Sequence, residues 1–164
     1  MPGAFVAAPR TVTFSHNHEM SVTSLRAFLV EDNPLLRENL ASALEELTCV
    51  KVVGSSATEG EGLAWLAANT YGWDLLIADL FLKQGSGIRL LEQLRRSSPQ
   101  QKVVVLSNYV NPSVRKRCAR MGVDAVFDKS TEIDALMDYC ALHCAQPREP
   151  QAGGSRAPSN GSAA

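Results

Sequence analysis

The sequence predicts an α/β fold: five βα units in series that build an open, doubly wound parallel sheet with helices on both faces. Three observations carry this expectation. Short apolar runs recur through residues 25–144, and most are continuous rather than alternating, as in strands buried on both faces. Helical patterns with clear start signals separate the runs. Acidic and polar residues follow four of the five runs directly, which places them along one edge of the sheet.

The strands are read at Ala27–Val30, Val50–Val53, Leu75–Ala78, Val103–Leu106 and Ala125–Phe127. The first helix carries Leu36, Leu40, Ala43, Leu44 and Leu47 on one face, with Asn33 as N-cap and Pro34 at the first helical position. Thr58 and Glu61 stand at capping-box spacing and open the second helix. Its Gly60 and Gly62 each cost roughly 1 kcal/mol against alanine, so this is the least secure of the five. The third helix is expected over about Ile88 to Arg96. The fourth opens at Asn111-Pro112 and ends before Gly122. The fifth runs from about Glu132 to Cys144, with Ile133, Leu136, Met137, Cys140 and Cys144 on one face. Right-handed crossovers restrict how these units connect.

Length and composition fix the setting. A chain of 164 residues, 45% hydrophobic, is enough for one packed core. A formal net charge of −1 excludes a strongly basic nucleic-acid binder and a polyacidic solvating protein. No apolar run reaches the ~18 residues of a membrane span, and Ala4–Ala8 is too short for a signal-peptide core. The expected compartment is the cytoplasm. Residues 1–24 show no sustained period and read as a flexible N-terminal extension, with Met20 an alternative initiator. Residues 145–164 read as a disordered tail rich in Pro, Gly, Ser and Ala. The four cysteines, Cys49, Cys118, Cys140 and Cys144, are scattered and are expected as buried free thiols.

The chemistry sits where the strands end. Glu31 and Asp32 follow the first run, Asp79 the third, Ser107 the fourth, and Lys129 lies just past the fifth, after Asp128. Three carboxylates in one place repel, and a hard divalent cation such as Mg²⁺ neutralises them. A carboxylate can attack phosphorus to form an acyl phosphate, and phosphoryl transfer needs mainly positioning and charge neutralisation. Lys129 supplies a second cation and Ser107 a hydroxyl for a phosphoryl oxygen. Any one of these residues alone is an ordinary turn former or cap. The set, at the ends of four different strands, is a constellation.

FLVEDN, LLIADL, VVVLSN and FDKS, spaced as they are here, resemble the receiver domain of two-component response regulators over residues 25–144. The resemblance implies a flavodoxin-like (βα)5 fold with strand order 2-1-3-4-5. It implies that Asp79 accepts a phosphoryl group from a histidine kinase or histidine phosphotransfer protein. It implies Mg²⁺ held by Glu31, Asp32, Asp79 and the main-chain carbonyl of Phe81. Ser107 would move toward the phosphoryl group and Lys129 would pair with it. Gly85 and Gly87 fit the flexible loop after the acceptor strand. The expected protein is a single-domain response regulator, not an enzyme beyond slow self-dephosphorylation. It would act on a downstream protein through the face of the fourth helix, fifth strand and fifth helix, with no direct DNA or membrane binding. The alternative is a receiver-like interaction module that works without phosphorylation.

The chain departs from the family at several positions. Val126 stands where an aromatic is common, and strand alternation should turn Phe127 to the other face. Asn108 stands where a small residue is common, and Ser130 where proline is common. Tyr109 reads either as an alternative mobile aromatic on the output face or as an ordinary packing residue, given its amphipathic ring. Arg115, Lys116, Arg117 and Arg120 make the fourth helix basic, which reads as a solvated face or a docking surface. Cys140 and Cys144 share a helical face but lack the second ligand pair that zinc requires, and His16 and His18 fall in the extension.

Overall fold

A computed structural model describes residues 24–146. The N-terminal extension, its histidines and most of the C-terminal tail therefore lie outside the described residues. Strands β1 (Leu25–Val30), β2 (Val50–Ser56), β3 (Leu75–Ala78), β4 (Lys102–Ser107) and β5 (Ala125–Asp128) form one parallel sheet in the order β2-β1-β3-β4-β5. Helices α1 (Pro34–Leu47), α2 (Glu59–Ala68), α3 (Gly87–Gln93), α4 (Pro112–Arg120) and α5 (Ile133–Cys144) alternate with them. This is the flavodoxin-like order expected. Among the described residues, no helix is long and apolar enough to cross a membrane.

Alternation along the strands divides the core in two. Leu25, Ala27 and Leu29 of β1 face Leu40 and Leu44 of α1 and Leu136, Met137 and Cys140 of α5. Phe28 and Val30 face Leu66 of α2, Leu90 and Leu91 of α3 and Cys118 of α4. The same rule sends Val126 toward the α4 side and Phe127 toward α5, where its ring meets Tyr139 edge-on at 5.8 Å. The central strands are buried on both faces, whereas edge strand β2 alternates, exposing Lys51, Val53 and Ser55.

Four helices carry side-chain caps, three of them expected from the sequence and the fourth, Ser86, found only in the structure. Asn33, Thr58, Ser86 and Asn111 accept from the N–H of Leu36, Glu61, Arg89 and Val114. Glu61 reaches back to the N–H of Ala57 rather than of Thr58. The glycines of α2 have different surroundings. A Cβ at Gly60 would meet open space, but one at Gly62 would press on Leu90 and Ser56, so Gly62 permits a close approach that offsets its low helix propensity. Trp65 of α2 lies flat on Phe28, ring centroids 4.1 Å apart, across Gly54, where a Cβ would strike the indole.

Three expectations need correction. Strand β2 runs on to Ser56 instead of ending at Val53, paired with β1 as far as Val30. Helix α3 stops at Gln93 instead of Arg96. Leu94 is extended, and the Arg96 guanidinium turns to the Asp124 carboxylate at 3.0 Å and the Gly122 carbonyl. Nor are all four cysteines free. Cys49 and Cys144 form a disulfide, with Cα atoms 5.8 Å apart, because the end of α5 descends beside the start of β2. Cys118 and Cys140 are buried thiols, as expected.

Gly87 begins α3 against the end of β3. A Cβ there would overlap the Asp79 carbonyl oxygen and crowd the Leu80 Cα. Backbone cannot rotate aside, so this overlap outweighs the helix propensity that alanine would add. Gly87→Ala is expected to lower unfolding free energy by about 2 kcal/mol in urea titration.

Burial pushes the Cys140 thiol up to about 12, and burial with the Asp124 charge pushes the Tyr139 hydroxyl up to about 12. Their ordinary values are 9.0 and 10.0. Below pH 9 both groups keep their protons whether the chain is folded or not. Between pH 9 and 12 the unfolded chain loses them first, so stability falls as pH rises. The urea midpoint should drop through this window, and Tyr139→Phe should flatten the drop.

Candidate functional site

The carboxyl ends of β1, β3, β4 and β5 meet at one edge, because parallel strands all end on the same side. Glu31 and Asp32 follow β1, Asp79 follows β3, Ser107 closes β4 and Lys129 follows β5. One carboxylate oxygen from each of Glu31, Asp32 and Asp79 lies within 4.8 Å of the others. Lys129 Nζ donates to Glu31 Oε2 at 2.5 Å and to Asp79 Oδ2 at 2.6 Å. These three side chains are less than a tenth exposed. The hollow above them is bordered by Leu36, Phe81, Lys83, Asn108 and Tyr109.

Backbone amides hold each acid. Asn33 N–H donates to Glu31, Phe81 N–H to Asp79, and Lys83 N–H to Asp32 at 2.8 Å. Burial raises the Glu31 carboxyl above its ordinary value, outweighing the bond from Lys129. Asp32 is pushed up by desolvation too, but the Lys83 amide and neighbouring bonds win and lower it. Burial pulls the Lys129 ammonium down, yet its bonds to Asp79 and Glu31 prevail and raise it. The cluster thus holds three carboxylates against one buried ammonium.

Ser107 is fully buried at the floor of the β4–α4 turn rather than lining the hollow. Its hydroxyl accepts the Tyr109 N–H at 3.3 Å, and its carbonyl accepts the Lys129 N–H at 3.0 Å. Tyr109 and Phe81, both well exposed, meet edge-on at 5.2 Å on the rim. On α4, Arg115 donates to the Val126 carbonyl and pairs with Glu132, and Arg117 pairs with Glu92.

Two residues of this region gave no signal in the sequence. Lys83 acts through its backbone, which no residue type reveals. Glu59 lies in the first turn of α2, and its carboxylate accepts the Ser86 N–H at 2.7 Å and pairs with Arg89 at 3.1 Å, partners 27 and 30 residues away in sequence. It thereby clamps the β3–α3 loop, where Gly85 takes a φ of 80°.

Residues 27–141 match the response regulator receiver domain. The chain belongs to this family. The response regulator protein VraR of Staphylococcus aureus is 26% identical over 115 residues, which cover 70% of this chain and 54% of VraR. The chain thus spans about half the length of the curated relatives it matches. The phosphorylated cyanobacterial phytochrome response regulator RcpA superposes with a TM-score of 0.56 at 26% identity, over 73% of this chain and 91% of that one. A LuxR-family two-component response regulator from Aurantimonas sp. SI85-9A1 gives a TM-score of 0.66 at 20% identity, over 75% and 86%. That second likeness is one of fold.

Receiver domains generally bind Mg²⁺ at an acidic pocket. The donor set of this receiver fits such an ion: clustered carboxylate oxygens suit a hard cation that keeps several waters.

With no divalent cation present, the receiver's cluster has an excess of negative charge. Asp79→Asn leaves Lys129 matched to Glu31 and removes a repulsion. It is expected to raise unfolding free energy by about 1 kcal/mol, read in urea with chelator present. A lower midpoint would mean that the Lys129–Asp79 pair outweighs the repulsion.

Proposed function

We propose that this receiver is a phosphorylation-switched signalling module in which Asp79 accepts a phosphoryl group from a phosphohistidine of a histidine kinase or histidine phosphotransfer protein. The reading rests on one observation: three carboxylates and a buried lysine converge at one sheet edge. The Asp79 carboxylate attacks phosphorus as the bond to the donor's imidazole nitrogen breaks, and the electron pair stays on that nitrogen. Glu31, Asp32, Asp79 and the Phe81 carbonyl would hold Mg²⁺, which when bound supplies charge neutralisation for the phosphoryl oxygens. RcpA, 26% identical, is known in a phosphorylated form, in keeping with this reading.

Two contacts would change on phosphorylation. Lys129, bonded to Asp79 and Glu31, is drawn to a phosphoryl oxygen. Ser107 turns its hydroxyl toward the same group and gives up the Tyr109 N–H. Losing that bond frees the β4–α4 turn, so the new charge makes different contacts in the two states, as any switch requires. The proposed output is protein contact through the α4–β5–α5 face, in the cytoplasm, rather than DNA contact. The receiver turns over no substrate of its own beyond slow self-dephosphorylation. Val126 and Asn108 favour a second reading. With no aromatic on the α4 side of β5 to follow Ser107, the fold would serve as a binding module without phosphorylation.

Intact-mass spectrometry after incubation with Mg²⁺ and acetyl phosphate tests the proposal. A single phosphoryl adduct is expected, absent in chelator and in Asp79→Asn. No adduct from acetyl phosphate or from histidine kinases would leave the second reading.

A further inference from the structure

The disulfide lies at the opposite edge of the sheet from the acids. Cys49 immediately precedes β2, and Cys144 ends α5, so the bond ties an edge strand to the last turn of a helix 95 residues away in sequence. Helix α5 is anchored in the core by Leu136, Met137 and Cys140. Past Cys140 the grip weakens: Ala141 and Leu142 are exposed and His143 is half-buried. The disulfide is the covalent anchor of that turn. Both of its residues are half-buried, whereas Cys118 and Cys140 are fully buried thiols raised by desolvation.

We propose that Cys49–Cys144 is a reversible redox-modification site, opened by a dithiol and re-formed by the reverse exchange with a disulfide, that frees or fixes the last turn of α5 independently of Asp79. One thiolate of the dithiol attacks Cys49 Sγ and forms a mixed disulfide. The Cys49–Cys144 bond breaks, and its electron pair leaves on Cys144. The Cys49 N–H, 3.2 Å from Cys144 Sγ, is placed to stabilise that departing thiolate. The second thiol of the reductant then displaces Cys49. The protein gains two electrons and two protons, and the reductant leaves as a disulfide. Freed of its tether, the last turn of α5 opens, at the border of the proposed output face. The acids, a strand length away, keep their geometry.

The test uses the full chain purified in air, with thiols blocked under denaturant. Peptide mapping should find Cys49 joined to Cys144 and two alkylatable thiols, Cys118 and Cys140. Dithiothreitol acting on the native protein should release two more. At labelling times too short for global unfolding, hydrogen exchange in the last turn of α5 should then rise roughly tenfold, with β4 unchanged. Cys144→Ser should show the fast exchange without reductant and no response to it. Adduct formation with acetyl phosphate should be equal in the oxidised and reduced forms. Four alkylatable thiols in the air-purified protein, a bond that resists dithiothreitol until the chain is unfolded, unchanged exchange on reduction, or adduct formation that differs between the two forms would each overturn the proposal. Failure of adduct formation in both forms would count against phosphorylation at Asp79 and leave the redox site standing.

Discussion

The buried ammonium of Lys129, bonded at once to Glu31 and Asp79, is the interaction on which the site depends. Three carboxylates within 4.8 Å of one another would repel in a dry sheet edge. A single surface lysine on a flexible stem would be screened and mobile. Here the lysine backbone is fixed, since its N–H donates to the Ser107 carbonyl one step beyond the β4–β5 pairing. Strand register therefore aims the ammonium. The same charge arrangement leaves an excess of negative charge, which suits a divalent cation, and an anionic phosphoryl group is accommodated there only with that charge neutralised.

Close packing on the other side of the sheet keeps that edge in place. Gly87 lets α3 start against the Asp79 carbonyl, and Gly62 lets α2 lie against Leu90 and Ser56. Trp65 stacked on Phe28 holds α2 to the sheet across Gly54. Glu59, at the first turn of α2, then grips the loop that follows Asp79. A helix weakened by two glycines is thus positioned by tertiary contacts, and through it the loop that carries Phe81 and Lys83. Local propensity alone would have ranked α2 as expendable.

The two ends of the sheet have separate chemistry. Charge governs the carboxyl edge, where Glu31, Asp32, Asp79 and Lys129 gather. At the amino edge, sulfur joins β2 to α5. Helix α5 spans both: its first turn follows the Asp128–Lys129 segment, and its last turn ends in Cys144. The proposed acceptor and the proposed redox site thus border opposite ends of one helix.

The sequence by itself determined the five strands' places and their order of use along the chain, the caps Asn33, Thr58 and Asn111, and the identity of the clustered residues. Continuous apolar runs and Asn-Pro or Thr-x-x-Glu starts are local signals, and parallel strands force all of their following residues to one edge. Asp79 could be named because it stands directly after a run, and Lys129 because it stands one residue beyond the Asp128 that ends another. What only the tertiary structure decided depends on residues far apart in sequence. The Cys49–Cys144 bond joins positions 95 residues apart, and no local pattern pairs them. Arg96 left α3 for Asp124, 28 residues on, and shortened the helix. Lys83 contributes only its backbone N–H, and the place of Ser107 under the β4–α4 turn rests on the Tyr109 amide. Periodicity records which face a residue takes, whereas which distant partner it meets there is set only when the sheet closes and the helices pack.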